Sequence, residues 1–456
     1  MPLDKLNIVI LAAGKGTRMN SAKAKVLHSL AGKPLLQYVI NTAKHLNPQK
    51  IIVVYGYGGE AVPKAFAHEE IIWVEQSKQL GTGHAVQQVM PHLDSDAATL
   101  ILLGDVPLVS ADTCKNLLEK TQQLGLLTVK KANPSGYGRI LRDSAGKVSA
   151  IVEHKDATAQ QRGINEVNTG IIVASNAYLI AWLERLTNDN AQGEYYLTDI
   201  VAMAVQDGLT VATEIAHDEP SVAGANSKQD LASLERVYQL HQAVRLMQAG
   251  VTLQDPFRID VRGDMGVGSD VEIDVGCIFK GKVTLADNVK IGAYCVIKDA
   301  TIGANTIVLP FTHMEQVAIA NDCRIGPYAR LRPGTELNAD THIGNFVEIK
   351  NSQVDVGSKI NHLSYVGDTT VGKKVNIGAG TITCNYDGAN KFRTVIGDNA
   401  FIGSNSQLVA PVTIGKGATI AAGSTVTKDA PAGELTIARG RQTTIKGWKR
   451  PQKVKK

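Results

Sequence analysis

The stretch Ile396-Gly397-Asp398-Asn399-Ala400-Phe401-Ile402-Gly403-Ser404-Asn405-Ser406-Gln407-Leu408-Val409-Ala410-Pro411-Val412-Thr413-Ile414-Gly415-Lys416-Gly417-Ala418-Thr419-Ile420-Ala421-Ala422-Gly423-Ser424-Thr425-Val426 has a medium-sized aliphatic at every sixth position. These are Ile396, Ile402, Leu408, Ile414, Ile420 and Val426, and Gly follows at 397, 403 and 415. A period of six fits neither the 3.6 of a helix nor the alternation of a strand, so the unit is a short strand plus a turn. Three units close a triangular coil that buries its aliphatics only against neighbouring coils, which defines a hexapeptide solenoid. The glycines suit corners where a Cβ is strained or crowded.

Working outward, the same phase runs through Val267, Ile273, Phe279, Leu285, Ile291 and Ile297, and through Ile319, Ile325, Leu331, Leu337, Ile343 and Ile349. It breaks near Ile302 and Val356 and resumes at Val371 and Ile377. A rod offers no concave pocket, so chemistry is expected from insertions, chain ends or grooves between rods. The insertion Cys384 to Arg393 and the nearby Asn361-His362-Leu363-Ser364-Tyr365 are such places. Acyl transfer to an amine needs a base, and His362 suits that role; a polar residue at an irregular turn is the alternative.

The 456 residues are too many for one ordinary core, and 44% hydrophobic with 20% charged content is that of a globular chain. The net charge of +5 gathers in the tail from Arg441 to Lys456, which has no acid. That tail reads as a solvated end or a phosphate-facing one, and no nucleic-acid partner is expected. No signal peptide and no membrane insertion are expected, because Asp4 and Lys5 interrupt the start and no apolar run is long enough. Five scattered cysteines without a CxxC pair point to a reducing cytoplasm, with neither disulfide framework nor zinc site.

Upstream, Asn7 to Leu11 reads as a first strand leading into Ala12-Ala13-Gly14-Lys15-Gly16-Thr17-Arg18-Met19, a glycine loop able to cradle phosphate. It is neither a Walker A loop nor a dinucleotide fingerprint. Ile51 to Tyr55, Ile71 to Val74 and Thr99 to Leu103 read as further strands of a mainly parallel α/β sheet. Asp105 then lies at a strand's carboxyl edge, as a Mg²⁺ ligand or as an Asp opening a turn before Pro107.

Leu11 to Gly14 with Gly16-Thr17-Arg18-Met19, Lys25, Gln76, Gly81-Thr82-Gly83-His84-Ala85 and Gly104-Asp105-Val106-Pro107-Leu108 match sugar-1-phosphate nucleotidyltransferases in order and spacing. Gly136-Tyr137-Gly138-Arg139-Ile140, Ile151 to Ala157, Glu166 to Gly170 and Asn190 to Asp199 narrow the match. With the solenoid, the chain resembles the bacterial bifunctional N-acetylglucosamine-1-phosphate uridyltransferase and glucosamine-1-phosphate acetyltransferase family over nearly its whole length.

The resemblance implies a Rossmann-like nucleotidyltransferase domain (1–227), a linker helix (228–250), a left-handed parallel β-helix (251–438) and a basic tail (439–456). It implies uridylyl transfer from UTP to N-acetylglucosamine 1-phosphate with release of pyrophosphate. Leu11, Ala12, Ala13 and Gly14 would contact the nucleotide, Lys25 and Arg18 its phosphates, and Gln76, Gly81 and Thr82 the uracil. Leu103 and Gly104 would line the same site, Gly138, Glu153 and Asn168 would hold the sugar, and Asp105 with Asn226 would bind Mg²⁺. Leu103 departs from relatives that have a polar or aromatic residue there.

For the second half it implies acetyl transfer from acetyl-CoA to glucosamine 1-phosphate with His362 as base. Arg332, Lys350, Tyr365, Asn376, Asn385 and Tyr386 would surround the sugar phosphate. Ala379, Asn385, Tyr386, Ser404, Ala422 and Arg439 would lie along acetyl-CoA. A homotrimer feeding cell-wall and lipopolysaccharide synthesis is implied as well. The alternative is a nucleotidyltransferase whose solenoid serves assembly or regulation only.

Between the halves, Leu231, Leu234, Val237, Leu240, Val244 and Met247 form a helical stripe, with Asn226 or Ser227 as its cap and Gly250 as its stop. The stripe is too short for a coiled coil.

Overall fold

The computed structural model describes residues 5–453. The chain forms two compact units that divide between Tyr238 and Gln239. Among the described residues no helix is long and apolar enough to cross a membrane.

The first unit is built on a nine-stranded sheet whose main order is Val211–Ile215, Leu124–Lys130, Glu166–Ser175, Ala98–Leu103, Leu6–Leu11, Lys50–Tyr55, Ile72–Glu75. Pairing along this path is parallel, except that Glu166–Ser175 runs antiparallel to both neighbours. The first strand is apolar on both faces because both are covered. Ile8 and Ile10 join one buried cluster with Leu100, Leu102 and Val39, while Val9 joins another with Ile101, Val86 and Trp182. From Leu6–Leu11 the chain steps to Lys50–Tyr55 and Ile72–Glu75 on one side, then returns to Ala98–Leu103 on the other. That switch opens a crevice at the carboxyl ends of the two central strands.

The boundary between the units falls within the helix Lys228–Gln248. Ser227 Oγ accepts from the Asp230 amide at 3.1 Å, and Asp230 Oδ2 accepts from the Ser227 amide at 2.9 Å, a reciprocal N-terminal cap. At the other end the Gly250 amide bonds Met247 O and the Val251 amide bonds Leu246 O, with Gly250 at φ 95°. Leu234 is buried with Leu30, Leu35 and Ala225 in the first unit, whereas Ala243 and Leu246 enter the core of the second. The buried face therefore turns along the helix, leaving Val244 and Met247 exposed despite their place in the apolar stripe.

The second unit is a parallel β-helix. One wall stacks Ile273, Ile291, Val308, Ile325, Ile343, Ile360, Ile377, Ile402 and Ile420 in register, all buried. All six repeat positions from Ile396 to Val426 point inward. The glycines after the aliphatics are required by close approach of the next coil: a Cβ on Gly403 would stand 2.4 Å from Ala422 N, and one on Gly415 2.5 Å from Ala432 N.

The left-handed corners are mostly not glycine. Asn288, Asn305, Asp322, Tyr294, Phe311, Tyr328 and Phe346 all have positive φ. Asn and Asp tolerate that conformation. The aromatic residues are held by stacking in an exposed ladder, with ring centroids 5.4, 4.9 and 5.3 Å apart. Interior hydroxyls and thiols cap coil carbonyls, as Ser358 Oγ does to Gly372 O at 2.6 Å and Cys277 Sγ to Gly292 O at 3.2 Å. These bonds explain why polar residues and cysteines occupy this core.

Candidate active sites

At the crevice the Gly104 amide bonds Leu11 O at 2.9 Å and the Ala12 amide bonds Val54 O at 2.8 Å, tying the glycine loop to the strand ends. Gly104 fits closely there: a Cβ would press on Ala12 Cβ, Leu11 O and Val26 Cγ1, each at 3.2 Å. A cavity of about 510 Å³ opens above, lined by Leu11, Ala12, Ala13, Gly14, Lys25, Gln76, Gly81, Thr82, Leu103 and Asp105. Lys15, Gln79 and Glu194 also line it, and the sequence reading did not include them.

A second cavity of about 240 Å³ holds Gly138, Glu153 and Asn168, with Thr198. The Asn168 amide bonds Gly138 O at 2.9 Å, and Thr198 donates to Glu153 Oε1 at 3.2 Å. Burial raises the Glu153 carboxyl above its ordinary pKa; Asp199 and Asp156 add to this and Thr198 opposes it. A third cavity, about 540 Å³, contains Arg18, Asp105 and Asn226. Arg18 thus faces the metal-binding candidates and is not among the residues lining the nucleotide cavity. Leu103 is a wall common to all three, held against Gly170, where a Cβ would meet Leu103 Cδ1 at 2.7 Å.

Lys25 Nζ bonds Asp105 Oδ2 at 2.5 Å and Asn226 Oδ1 at 3.2 Å, so two hard oxygens converge on one cation position. Two oxygen donors suit Mg²⁺, which completes its shell with water and substrate phosphates. Among the described residues no group of three His, Cys, Asp or Glu side chains forms a metal cage.

The second unit gathers its candidates along one corner and the adjoining wall. His362 pairs with Asn345 on the preceding coil, and its Nδ1 lies 3.2 Å from Asn345 Oδ1. Asn345 Oδ1 can only accept, so Nδ1 carries the proton and Nε2 keeps a free lone pair. The column continues coil by coil: Gly380 N to His362 O at 3.3 Å, Asn405 N to Ala379 O at 2.6 Å, and Gly423 N to Ser404 O at 2.8 Å. Arg439 Nη1 closes it on Ala422 O at 2.7 Å. Ala379, Ser404, Ala422 and Arg439 therefore form an extended track leading away from His362. Asn376 lies on the neighbouring wall, in register with Lys359.

Around the corner, Arg332 pairs with Glu348 at 2.8 Å, and Tyr365 and Lys350 follow in register with Glu348 and Gly367. Gly367 makes room for the Tyr365 hydroxyl, 2.4 Å from where a Cβ would be, and Asn385 Nδ2 comes within 3.5 Å of that hydroxyl. Tyr386 and Lys391 bridge the insertion as a short hairpin, and Tyr386 is 60% exposed.

Two residues here escaped the sequence reading. Lys391 crowds Lys350 and, with burial and Arg332, holds its ammonium below the ordinary lysine pKa; this is a cluster of cations suited to an anion. Asp368 is buried, which alone would raise its pKa, but bonds from Asn351 and Asn385 and the charges of Lys350 and Lys391 hold it low. Lys391 lies in the Cys384 to Arg393 insertion without having been assigned a role, and Asp368 lies in no run that marks it; the fold brings both to Lys350. The basic tail beyond residue 453 lies outside the described residues.

Residues 8–193 match the MobA-like NTP transferase domain, and residues 393–428 match the bacterial transferase hexapeptide repeats. The chain is 69% identical over 453 residues to the bifunctional protein GlmU of Methylobacillus flagellatus, covering 99% of each. It is 57% identical over 457 residues to that of Nitrosospira multiformis, covering 100% of this chain and 99% of the other, and 54% identical over 452 residues to that of Chromobacterium violaceum, covering 99% of each. With a nucleotide-sized crevice in one unit and an oriented histidine on the β-helix of the other, the chain belongs to the bifunctional GlmU family.

Proposed function

We propose that the two units catalyse consecutive steps to UDP-N-acetylglucosamine. In the β-helix unit, the amine of glucosamine 1-phosphate attacks the thioester carbonyl of acetyl-CoA. His362 Nε2 takes the amine proton, the amide bond forms and the coenzyme A thiolate leaves. Arg332, Lys350 and Lys391 neutralise the sugar phosphate, Tyr365, Asn376, Asn385 and Tyr386 surround the sugar, and the track from Ala379 to Arg439 carries coenzyme A.

In the other unit the phosphate oxygen of N-acetylglucosamine 1-phosphate attacks the α-phosphorus of UTP, and pyrophosphate departs. Mg²⁺ held by Asp105 and Asn226 would neutralise charge on the phosphates. Lys25 and Arg18 face the phosphates from the protein side, and the glycine loop supplies amides. Gln76, Gly81 and Thr82 meet the uracil, and Glu153 with Asn168 and Gly138 accepts the sugar. The enzyme is read as cytoplasmic. The second site lies open on a single chain, with Tyr386 and His362 exposed, which supports a homotrimer whose neighbouring rods complete it.

The observation that carries bifunctionality is the bond from His362 Nδ1 to Asn345, because a purely structural β-helix has no need of an oriented base. The test is thiol release from acetyl-CoA and glucosamine 1-phosphate without UTP. Release that ends with Asp105 intact and His362→Ala substituted supports the second activity. No release, with pyrophosphate still formed from UTP and N-acetylglucosamine 1-phosphate, reduces the chain to a nucleotidyltransferase.

A further inference from the structure

Gln76 follows the strand Ile72–Glu75 and lines the nucleotide cavity, yet it is only 3% exposed. Its backbone is fixed on both sides, the amide bonding Tyr55 O at 2.7 Å and the carbonyl accepting from Gln79 Nε2 at 2.9 Å. Its carboxamide nitrogen is fixed too: Nε2 donates to Gly81 O at 3.0 Å and lies 3.0 Å from His84 Nδ1.

Gly81 O can only accept, so the nitrogen must face it; rotating the carboxamide would set two oxygens against each other. The second Nε2 hydrogen then goes to His84 Nδ1 as acceptor; Gln88 Nε2 also lies 3.3 Å from His84 Nε2 but donates to His84 O at 3.1 Å, which leaves His84 Nε2 to carry the ring proton. Burial lowers the His84 pKa and so favours this neutral ring. With both hydrogens spent, Gln76 Oε1 has no bonded partner among the described residues and is the end of the carboxamide left for a ligand.

His84 itself does not line the cavity. It sits behind Gln76 on the short helix Thr82–Gln87, against Tyr195 at 6.2 Å between ring centroids. The loop that carries it is zipped to the segment around Tyr195: the Gly83 amide bonds Tyr195 O, and the Tyr195 amide bonds Leu80 O, each at 2.8 Å. Gly81, at φ 111°, has no space for a Cβ, which would lie 2.5 Å from Tyr195 O. The acceptor pair that holds the carboxamide is therefore itself held.

We propose that His84 is a positioning residue that locks the Gln76 carboxamide with its oxygen toward the nucleotide, and that this lock selects uracil over cytosine. The inference rests on the reading of this cavity as the uracil site. Uracil offers an N3–H between two carbonyls, which an acceptor-only oxygen can bind. Cytosine offers a bare N3 beside an exocyclic amine, so its ring nitrogen meets Oε1 lone pair to lone pair. To donate instead, Gln76 must turn over, losing both Nε2 bonds and facing Gly81 O with its own oxygen. A buried, committed polar group discriminates in this way because the wrong partner leaves it unpaired.

The test compares kcat/KM for UTP and CTP, read as pyrophosphate release with N-acetylglucosamine 1-phosphate, in the full-length chain and its His84→Leu, His84→Asn and Gln76→Ala variants. His84→Leu removes the acceptor, and the UTP-to-CTP ratio should fall roughly tenfold, the loss of one hydrogen bond. His84→Asn, whose side-chain oxygen falls near the ring Nδ1, should recover most of the ratio. A ratio unchanged in His84→Leu but altered in Gln76→Ala overturns the lock and leaves His84 structural. A ratio unchanged in Gln76→Ala overturns the uracil-site reading on which the lock rests.

Discussion

The Lys25 ammonium lies 2.5 Å from Asp105 Oδ2, with the two side chains only 15% and 14% exposed. Asn226 Oδ1 completes the contact at 3.2 Å. Lys25 therefore holds the position where the two oxygens would hold a divalent ion, and on the proposed reading a metal entering there would free the lysine toward the phosphates. Lys25→Gln should bind Mn²⁺ about 10- to 100-fold more tightly in the absence of nucleotide, since a charged hydrogen bond of about 1.5–3 kcal/mol no longer competes. Uridylyl transfer should fall at the same time. Electron paramagnetic resonance of free Mn²⁺ reads the first effect directly, and unchanged Mn²⁺ affinity would remove Lys25 from that position.

His362 and Asn345 divide one function between them. His362→Ala should lower acetyl transfer about 10²- to 10⁴-fold while uridylyl transfer stays intact. Asn345→Ala leaves the imidazole but frees its tautomer, and acetyl transfer should drop about tenfold. The thiol-release rate with acetyl-CoA and glucosamine 1-phosphate checks both. Loss of both activities in His362→Ala would make that residue structural.

Glu153 titrates above the ordinary carboxylate value of 4.5 because it is buried near Asp199 and Asp156. On the proposed reading a sugar hydroxyl would donate to the ionised form, so the KM for N-acetylglucosamine 1-phosphate should rise as pH falls, beginning above pH 4.5, and Glu153→Gln should flatten that rise. The raised pKa also means that the folded chain holds this proton more strongly than the unfolded one. Its contribution favours folding below the unfolded pKa and is lost as pH rises through the folded pKa. Glu153→Gln should therefore be neutral or stabilising at neutral pH, read from urea unfolding.

Gly403 and Gly423 have opposite reasons to be glycine. A Cβ at 403 meets Ala422 N at 2.4 Å and Ile420 O at 2.7 Å, so Gly403→Ala should pry two coils apart, costing about 1–3 kcal/mol. Because Ala422 lies on the track proposed to carry acetyl-CoA, the KM for acetyl-CoA should rise with it. Gly423 has open space but φ 73°, and Gly423→Ala should cost only the left-handed strain of about 1–2 kcal/mol. Thermal unfolding of both variants, with acetyl-CoA kinetics, distinguishes crowding from strain.

The sequence by itself determined the solenoid and the parallel sheet, because both follow from periodicity. Ile402, Leu408 and Ile414 must share an interior if a coil closes every three repeats, and Ile8, Val9 and Ile10 must be covered on both faces if none is polar. It also named Lys25 and Asp105 through ordered motifs and His362 through residue type in a break of the repeat, while Asn226 came with the family resemblance alone. The tertiary structure alone decided what depends on contacts between distant coils and loops. Lys391, on the insertion hairpin, and Asp368, on a coil, meet Lys350 only in the folded chain, and Asn345 meets His362 one coil away. The aromatic ladder from Tyr294 to Phe346 depends on left-handed corners that no hydrophobic period reveals. His84 lies in a recognised motif, but its hold on Gln76 is a matter of which hydrogen faces which acceptor. Periodicity specifies which residues face inward; hydrogen-bond direction is set only when separate segments are brought together.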